Sequence, residues 1–513
     1  MLAVVALSLL FIISRIFVSI KFDGSDIDEY WHIESGIQLF ETGNYPTFYT
    51  DTSGYKRGLL MSLWTGLWMT IFGKSIFVAK LAPITIAIVN FFLFMYLSNR
   101  LIDRKRYQLF SLLLYIISPW IIYNHFFIRF YIINELYLLL ALVLGYKLYY
   151  ALKEQVLNRV FLYISLLFLI NLINMETTND PSLYMFLFAS GILLASLFVY
   201  EFSPALCAQS PLLKPLFSNI LFSTRIARAG VVSVLMVLAF FVLDVGSKID
   251  FLLHGELIYT SAEQYKYPWF FWEKNGVISA FFVLAVAGFW LDTGYRRIVL
   301  IVAGLLFAIH ISASEDLQII RGILYFLPLY YLVAVIALSR VRYANDWYFY
   351  FIISTFFVVV TLTNVPKEFY WGPGIKSENN YIEYSRLYAS VKRECPGRLV
   401  IEAAPSSPFI AKFYGIDVDY VLSSTGNAKN DTMYVADVVS GGYRTVLGSI
   451  PILTTIDSMQ ALDSDICLIL RIPSKQRYVS AETEERLMQS GKRLHFSKID
   501  LYLVDKNQLK GLK

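Results

Sequence analysis

Charge is scarce in this sequence: Asp, Glu, Lys and Arg together make up only 16% of its 513 residues. A soluble domain usually carries about 25%, so much of the chain has to face something other than water. Cysteine is scarcer still. Three in so long a chain exclude a disulfide framework, and two of them, Cys395 and Cys467, fall in the C-terminal segment. One bridge between that pair and two unpaired thiols are both open. His125, His254 and His310 are scattered, no His/Cys/Asp set has zinc-ligand spacing, and no serine-nucleophile motif occurs. A glycine-rich phosphate loop, a dinucleotide fingerprint, internal repeats and low-complexity tracts are all missing. The net charge of +5 comes without a contiguous basic face in a soluble segment, which excludes a nucleic-acid partner.

What the chain has in abundance is apolar length, with 57% hydrophobic residues. Runs such as Leu2–Ile20, Tyr131–Leu152 and Gly322–Ser339 approach the ~20 residues that cross ~30 Å of hydrocarbon as a helix. Barrel strands would alternate apolar and polar residues over short segments, so helices are expected. The first run lacks a small-residue cleavage pattern and reads as a retained anchor.

Basic residues set the expected sidedness. The connectors Asn99–Tyr107, Leu152–Arg159, Glu201–Arg228, Leu291–Arg297 and Arg340–Asp346 are all basic, whereas Met175–Asp180 and Ser314–Gln318 are acidic. Cytoplasmic connectors are the ones enriched in Lys and Arg. The five basic loops share one side only if Gly58–Gly73, with Trp64 and Trp68, lies along the surface as an interfacial helix. The expected spans are then 2–20, 76–98, 108–124, 131–151, 160–174, 181–200, 229–246, 277–291, 298–313, 322–339 and 347–364. Eleven spans put the N-terminus in the cytoplasm and the C-terminal segment outside. From Pro366 the composition becomes that of a soluble domain, with β-like runs at Leu399–Ala404, Val418–Ser423, Met433–Ala436 and Ile466–Leu470. Helical stretches lie at Tyr381–Arg393 and Ala481–Ser490. The expected architecture is a polytopic α-helical membrane domain over 1–365, with the first outer loop at 21–75, and an extracytoplasmic α/β domain over 366–513.

The densest polar signal follows the first span: Asp23, Asp26, Asp28, Glu29 and His32 within ten residues. Asp26 suits a helix cap, with Tyr30, Trp31, Ile33, Ile37 and Phe40 as apolar anchors. Asp28 and His32, four apart, share a face. A carboxylate near hydrocarbon has its pKa raised, as general-base work requires; an acidic, solvated loop opening a capped interfacial helix is the competing reading. Lys56 and Arg57, just before the interfacial helix, sit where cations hold a lipid phosphate or simply snorkel. Arg321, with Glu315 and Asp316 upstream, is another outward-facing cation, suited to bind the same phosphate or simply to pair with Glu315, and Arg129 is a further one with the same two readings. Glu176 and Asp180 are weaker candidates that suit span capping. The aromatic stretch within Gly246–Lys274 (Tyr265, Tyr267, Trp269, Phe270, Trp272) suits a headgroup belt or a wall over a carbohydrate. Four neighbouring carboxylates have the chemistry to hold a divalent cation, although no cofactor is required.

An acidic pair after span one, followed by a tryptophan-rich loop ending in a basic–small–Leu sequence, resembles the GT-C superfamily of membrane glycosyltransferases. Lipid A aminoarabinose transferases and protein O-mannosyltransferases are the members most alike. The likeness extends to Ser118-Pro119, Arg129-Phe130-Tyr131 and Arg321…Pro328. It implies a polyprenyl-phosphate-linked sugar donor, a glycan, lipid or protein acceptor, and inverting displacement. It makes Asp28 the catalytic carboxylate, Glu29 its partner and Arg57 a contact to carrier phosphate. The segment after Arg57 is Gly58-Leu59-Leu60, without the two prolines of those subfamilies, and the Trp-Trp-Asp signature of oligosaccharyltransferases is absent. The rival expectation is a lipid-linked-sugar flippase, but transporters place ionisable groups near mid-span at broken helices, whereas these cluster at one face. A glycan polymerase or ligase would carry its arginines in large later loops.

Overall fold

The structure is a computed structural model that describes residues 2–21, 27–43, 58–154, 156–177, 267–313, 320–340, 346–362, 384–402, 407–422, 434–437, 442–445, 450–453, 462, 464–471, 491–496, 499–505 and 507. In chain order the helices are α1 (Leu2–Lys21), α2 (Ile27–Thr42), α3 (Leu59–Phe72), α4 (Ile76–Leu101), α5 (Lys105–Ile117) and α6 (Pro119–Phe126). Then come α7 (Tyr131–Lys153), α8 (Leu157–Thr177), α9 (Gly276–Ala287), α10 (Gly294–Ser312), α11 (Leu327–Arg340), α12 (Asp346–Leu362), α13 (Tyr384–Glu394) and α14 (Ser407–Phe413). The chain forms two compact units: Met1–Arg15, Ile84–Phe126 and Phe130–Pro366 make the first, and Ile16–Pro83, Phe127–Arg129 and Lys367–Lys513 the second.

Among the described residues five helices are long and apolar enough to cross a membrane: Ala3–Ile20, Ile76–Leu101, Tyr131–Lys153, Gly294–Ser312 and Gly322–Arg340. Two bent pairs bring the number to seven, α5 with α6 (57°) and the turn Tyr267–Lys274 with α9 (102°). The expected straight spans 108–124 and 277–291 are therefore replaced by elements of bent pairs. Segments 160–174 and 347–364 fall on α8 and α12; 181–200 and 229–246 lie outside the described residues, as do Glu201–Arg228 and Asp180. The aromatic stretch divides. Tyr267 is buried against His310, Phe270 against Trp120 and Phe271 against Phe307 and Tyr330, rather than facing lipid or sugar, while Trp272 is exposed.

The first bend has a clear cause. Pro119 has no N–H to offer the carbonyl of Tyr115, and its ring disfavours helical geometry at Ser118. Freed carbonyls inside hydrocarbon need donors from elsewhere. Arg15 supplies them: its guanidinium donates to Ile116 O at 2.9 Å and to Tyr115 O at 3.4 Å. Its charge is balanced through His125. Arg15 Nε donates to His125 Nδ1 at 3.1 Å, which leaves the imidazole proton on Nε2, 3.3 Å from both oxygens of Glu135. Tyr115 Oη and Asn124 Nδ2 also donate to Glu135, at 2.5 and 2.8 Å. Arg15, His125 and Glu135 are fully buried.

At one pole of the first unit the basic connectors converge. Arg296 pairs with Asp103 at 2.8 Å and with Asp292 at 2.6 Å, Arg340 also pairs with Asp292, and Arg297 donates to Asp292 O at 2.7 Å. Arg100 lies over Tyr96 and Tyr146, and Tyr149 touches Tyr295, so the end of α7 belongs to the same pole.

In the second unit a single eight-stranded sheet has the order β3-β4-β5-β2-β1-β6-β8-β7. The strands are β1 (Arg398–Glu402), β2 (Tyr420–Leu422), β3 (Tyr434–Asp437), β4 (Gly442–Thr445), β5 (Pro451–Leu453), β6 (Ile466–Arg471), β7 (Gly491–Phe496) and β8 (Ile499–Val504). The middle four, β5-β2-β1-β6, are parallel, and antiparallel strands flank them. Val400, Leu422, Leu468 and Leu470 form its core. Cys395 and Cys467 are joined by a disulfide that ties the end of α13 to β6, with Cα atoms 5.9 Å apart.

The buried Arg15–His125–Glu135 chain makes a specific stability prediction. Glu135→Gln leaves Arg15 without its counter-charge and should cost about 3–5 kcal/mol, the usual result of breaking a buried pair. The double variant Arg15→Met/Glu135→Gln should lose less than the sum of the two single variants. Thermal unfolding in detergent measures both; strict additivity would show that the two charges are not coupled.

Candidate functional site at helix α2

Helix α2 is where the expected chemistry was concentrated, and polar contacts with α3, α4 and the α6–α7 connector help to fix it. Glu29 is buried and pairs with Lys80 of α4, Nζ to Oε1 at 2.7 Å; Lys80 is fully buried. The same oxygen accepts the backbone N–H of Ile128 at 2.8 Å. One turn later, His32 Nδ1 shares a hydrogen bond of 2.9 Å with Ser62 Oγ of α3.

Glycines set how closely α2 and α3 approach. A Cβ on Gly66 would lie 2.5 Å from the carbonyl oxygen of Gly36, and one on Gly36 would strike the Ser62 carbonyl. Gly58, at φ +79°, turns the chain into α3 at a point where a Cβ would strike the His32 ring. Only glycine meets both demands. At 14 residues, α3 is about 21 Å long at 1.5 Å per residue, too short to span the hydrocarbon. Its exposed Ile71 and Phe72 suit a helix lying at the interface.

The expected site residues are placed as follows. Asp28 is in the first turn of α2, four residues before His32 on the same helical face; its side chain lies outside the described residues. Glu29 and His32 are buried polar anchors. Arg129 is in the connector between α6 and α7, one residue after the Ile128 N–H that holds Glu29, so one expected cation shares a unit with α2. Arg321 is in the 3-10 stretch Ile320–Phe326 that leads into α11, and its side chain is not described. Lys56, Arg57, Glu315 and Asp316 lie outside the described residues, as do Asp23 and Asp26, on which a divalent-cation site would draw. Among the described residues no three His, Cys, Asp or Glu side chains are grouped to hold a metal.

Two expectations change. Tyr30, Ile33 and Ile37 are buried within the protein instead of anchoring the helix in lipid; Phe40 is exposed, and the Trp31 side chain lies outside the described residues. They pack inward because α2 is covered by α3 and by α14. Lys80 and Glu34 were not singled out from sequence. Lys80 had a signal, as a lone cation in an apolar span. Glu34 had none, since its burial depends on α14.

Glu34 carries a raised pKa. Burial pushes its carboxyl up to about 7, against the opposing pull of Lys74 and Lys412, while Glu41 adds to the rise. A folded-state value above the unfolded one means the folded state holds the extra proton. The stability this confers is fully present below about pH 4.5 and is lost as pH rises through about 7. Glu34→Gln, a mimic of the protonated acid, should match the parent's thermal midpoint near pH 4.5 and exceed it at pH 8. Equal midpoints at both pH values would mean that Glu34 is not the titrating group.

No known protein-family profile matches the chain, and no curated protein sequence matches it. Solved structures do. ArnT from Cupriavidus metallidurans bound to undecaprenyl phosphate aligns with a TM-score of 0.50 at 11% identity, over 99% of this chain and 98% of that one. The apo oligosaccharyltransferase of Archaeoglobus fulgidus aligns with a TM-score of 0.50 at 11% identity, over 94% of this chain and 71% of that one. At such identities the likeness concerns the backbone alone, and it extends over nearly the whole chain: the protein shares the fold of these two structures.

Proposed function

We propose that this protein transfers a sugar from a polyprenyl-phosphate carrier to a glycan, lipid or protein acceptor at the outer face of a bacterial cytoplasmic membrane. The observation that carries the reading is the fixed helix α2: it holds Asp28 in its first turn while Glu29 is locked onto Lys80 and Ile128, within a fold that ArnT shares in complex with undecaprenyl phosphate.

In this reading Asp28 takes the proton of the acceptor hydroxyl or amine as that atom attacks the anomeric carbon. The bond from the anomeric carbon to the phosphate oxygen breaks, and its electron pair leaves with the carrier phosphate. Arg57 and Lys56, with Arg129 or Arg321, stabilise the charge that grows on the leaving phosphate, the usual electrostatic means of lowering such a barrier. Glu29 serves as the partner of Asp28 by holding the helix in place, and His32 supports it through Ser62.

Two observations support the sidedness. Arg296 and Arg340 meet at Asp292 and Arg296 also reaches Asp103, so the connectors after α4, α9 and α11 gather at one pole of the first unit, as cytoplasmic loops of one orientation do. The Cys395–Cys467 disulfide fits an oxidising compartment for the C-terminal domain. Eleven spans, with 1–365 as the membrane domain and 366–513 outside, complete this topology.

The test is reconstituted protein supplied with a labelled polyprenyl-phosphate sugar and a mixture of envelope acceptors. Transfer is expected; movement of label across the bilayer without transfer would make the protein a flippase. Asp28→Asn should lower turnover by about 100-fold or more, as loss of a general base does, with expression and thermal midpoint unchanged. Near-parental turnover would remove Asp28 from the mechanism. Arg57→Ala should raise the donor KM by about 10-fold or more, consistent with losing a charge-assisted hydrogen bond. An unchanged KM would remove Arg57 from phosphate binding.

A further inference from the structure

The side of α2 that carries Tyr30 is held by the C-terminal domain. Tyr30 is buried, and three rings of that domain surround it: Tyr384 at 5.4 Å and Phe413 at 5.5 Å, both edge-on, and Tyr414 at 6.2 Å. The Tyr30 and Tyr414 hydroxyls share a hydrogen bond of 3.0 Å. The receiving rings are themselves fixed. Tyr388 stacks on Tyr414 at 5.2 Å and on Tyr384 at 6.3 Å. Gly415, at φ +66°, ends α14 in the left-handed conformation that glycine favours, and Ile416 N–H closes the turn on Ala411 O at 3.0 Å. Tyr414 is therefore presented from a rigid helix end. Aromatic pairs of this geometry are worth about 0.5–1.5 kcal/mol each beyond their buried area, and here several converge on one side chain.

Tyr30 adjoins Glu29, so α2 is gripped at two successive residues about 100° apart around its axis. Glu29 is held by Lys80 and the Ile128 N–H, and Tyr30 by the C-terminal domain. Two grips at that angle fix both the position and the rotation of the first turn, where Asp28 stands.

We infer that the C-terminal domain acts as a positioning element for the reaction, with Tyr30 and Tyr414 as positioning residues that set the rotation of α2 and so the aim of Asp28. This rests on the transferase reading for what Asp28 does; the docking itself does not. The ring at position 30 matters most, because its burial fills the aromatic cup, and the hydroxyl bond adds direction.

The experiment uses the full-length protein in lipid nanodiscs, with variants Tyr30→Ala, Tyr414→Ala and Tyr30→Phe. Without donor, amide hydrogen exchange over residues 27–42 should be about tenfold faster in both alanine variants, as expected when a local anchor is lost, with exchange over α10 unchanged. In transfer assays both should lose about 10–100-fold in kcat, the scale of a small misplacement of a reacting group, with donor KM within about threefold of the parent. Tyr30→Phe should keep most of the turnover, as no simple loss of side-chain polarity would predict for the alanine variant. Unchanged exchange over α2 overturns the docking. Faster exchange with unaltered kcat, in a protein that Asp28→Asn inactivates, overturns the positioning role and leaves the transferase reading standing. Equal losses in kcat and donor affinity overturn it too, since they indicate a damaged donor site.

Discussion

A charge inside an apolar helix has to be neutralised by another part of the chain, and this constraint organises the structure. Arg15 and Lys80 each stand alone in a hydrophobic run, and Glu135 is the one acidic residue of its own, where an unpaired charge costs about 2.5–3.5 kcal/mol even on lenient insertion scales. Each is fully buried and paired. Arg15 and Glu135 meet through His125 across the break at Ser118-Pro119. Lys80 meets Glu29. The first pairing lets a span bend, because the same guanidinium that needs a counter-charge also satisfies the carbonyls freed by the proline. The second fastens α2 to a span.

The two halves of the proposed chemistry make different demands on that fastening. A general base needs a fixed direction towards a proton, whereas a phosphate contact tolerates some movement because charge acts over distance. Helix α2 meets the stricter demand through close backbone approach at Gly36 and Gly66, the Glu29 ion pair and the aromatic cup around Tyr30. The cations expected at the carrier phosphate are Lys56, Arg57, Arg129 and Arg321. Arg129 belongs to the unit that contains α2, and its neighbour Ile128 already holds Glu29.

The helices of the membrane part were readable because their signal is length and hydropathy, which need no partner. α1, α4, α7, α10 and α11 fall where the apolar runs predict. The central strands β1, β2 and β6 were readable for a similar reason: buried parallel strands are continuous apolar runs. Strands β4 and β7, with Arg444, Lys492, Arg493 and His495, lie towards the sheet edges and lack such a continuous apolar run. The break before α6 was signalled by Pro119, yet its neighbourhood still looked like one apolar span. Tyr30 and Ile33 looked like lipid anchors, because hydrophobicity alone does not say whether a side chain will meet lipid or protein.

The sequence by itself determined that the chain enters a membrane and where polar chemistry is dense. Composition and order along the chain suffice for that, since the transfer cost of a residue is its own property. Only the tertiary structure decided the pairings: Lys80 with Glu29, Arg15 with Glu135 by way of His125, Tyr30 with the C-terminal rings, Cys395 with Cys467. Each pairing joins positions far apart in sequence, and which of them meet depends on how the helices and sheet pack, not on the preference of any one segment.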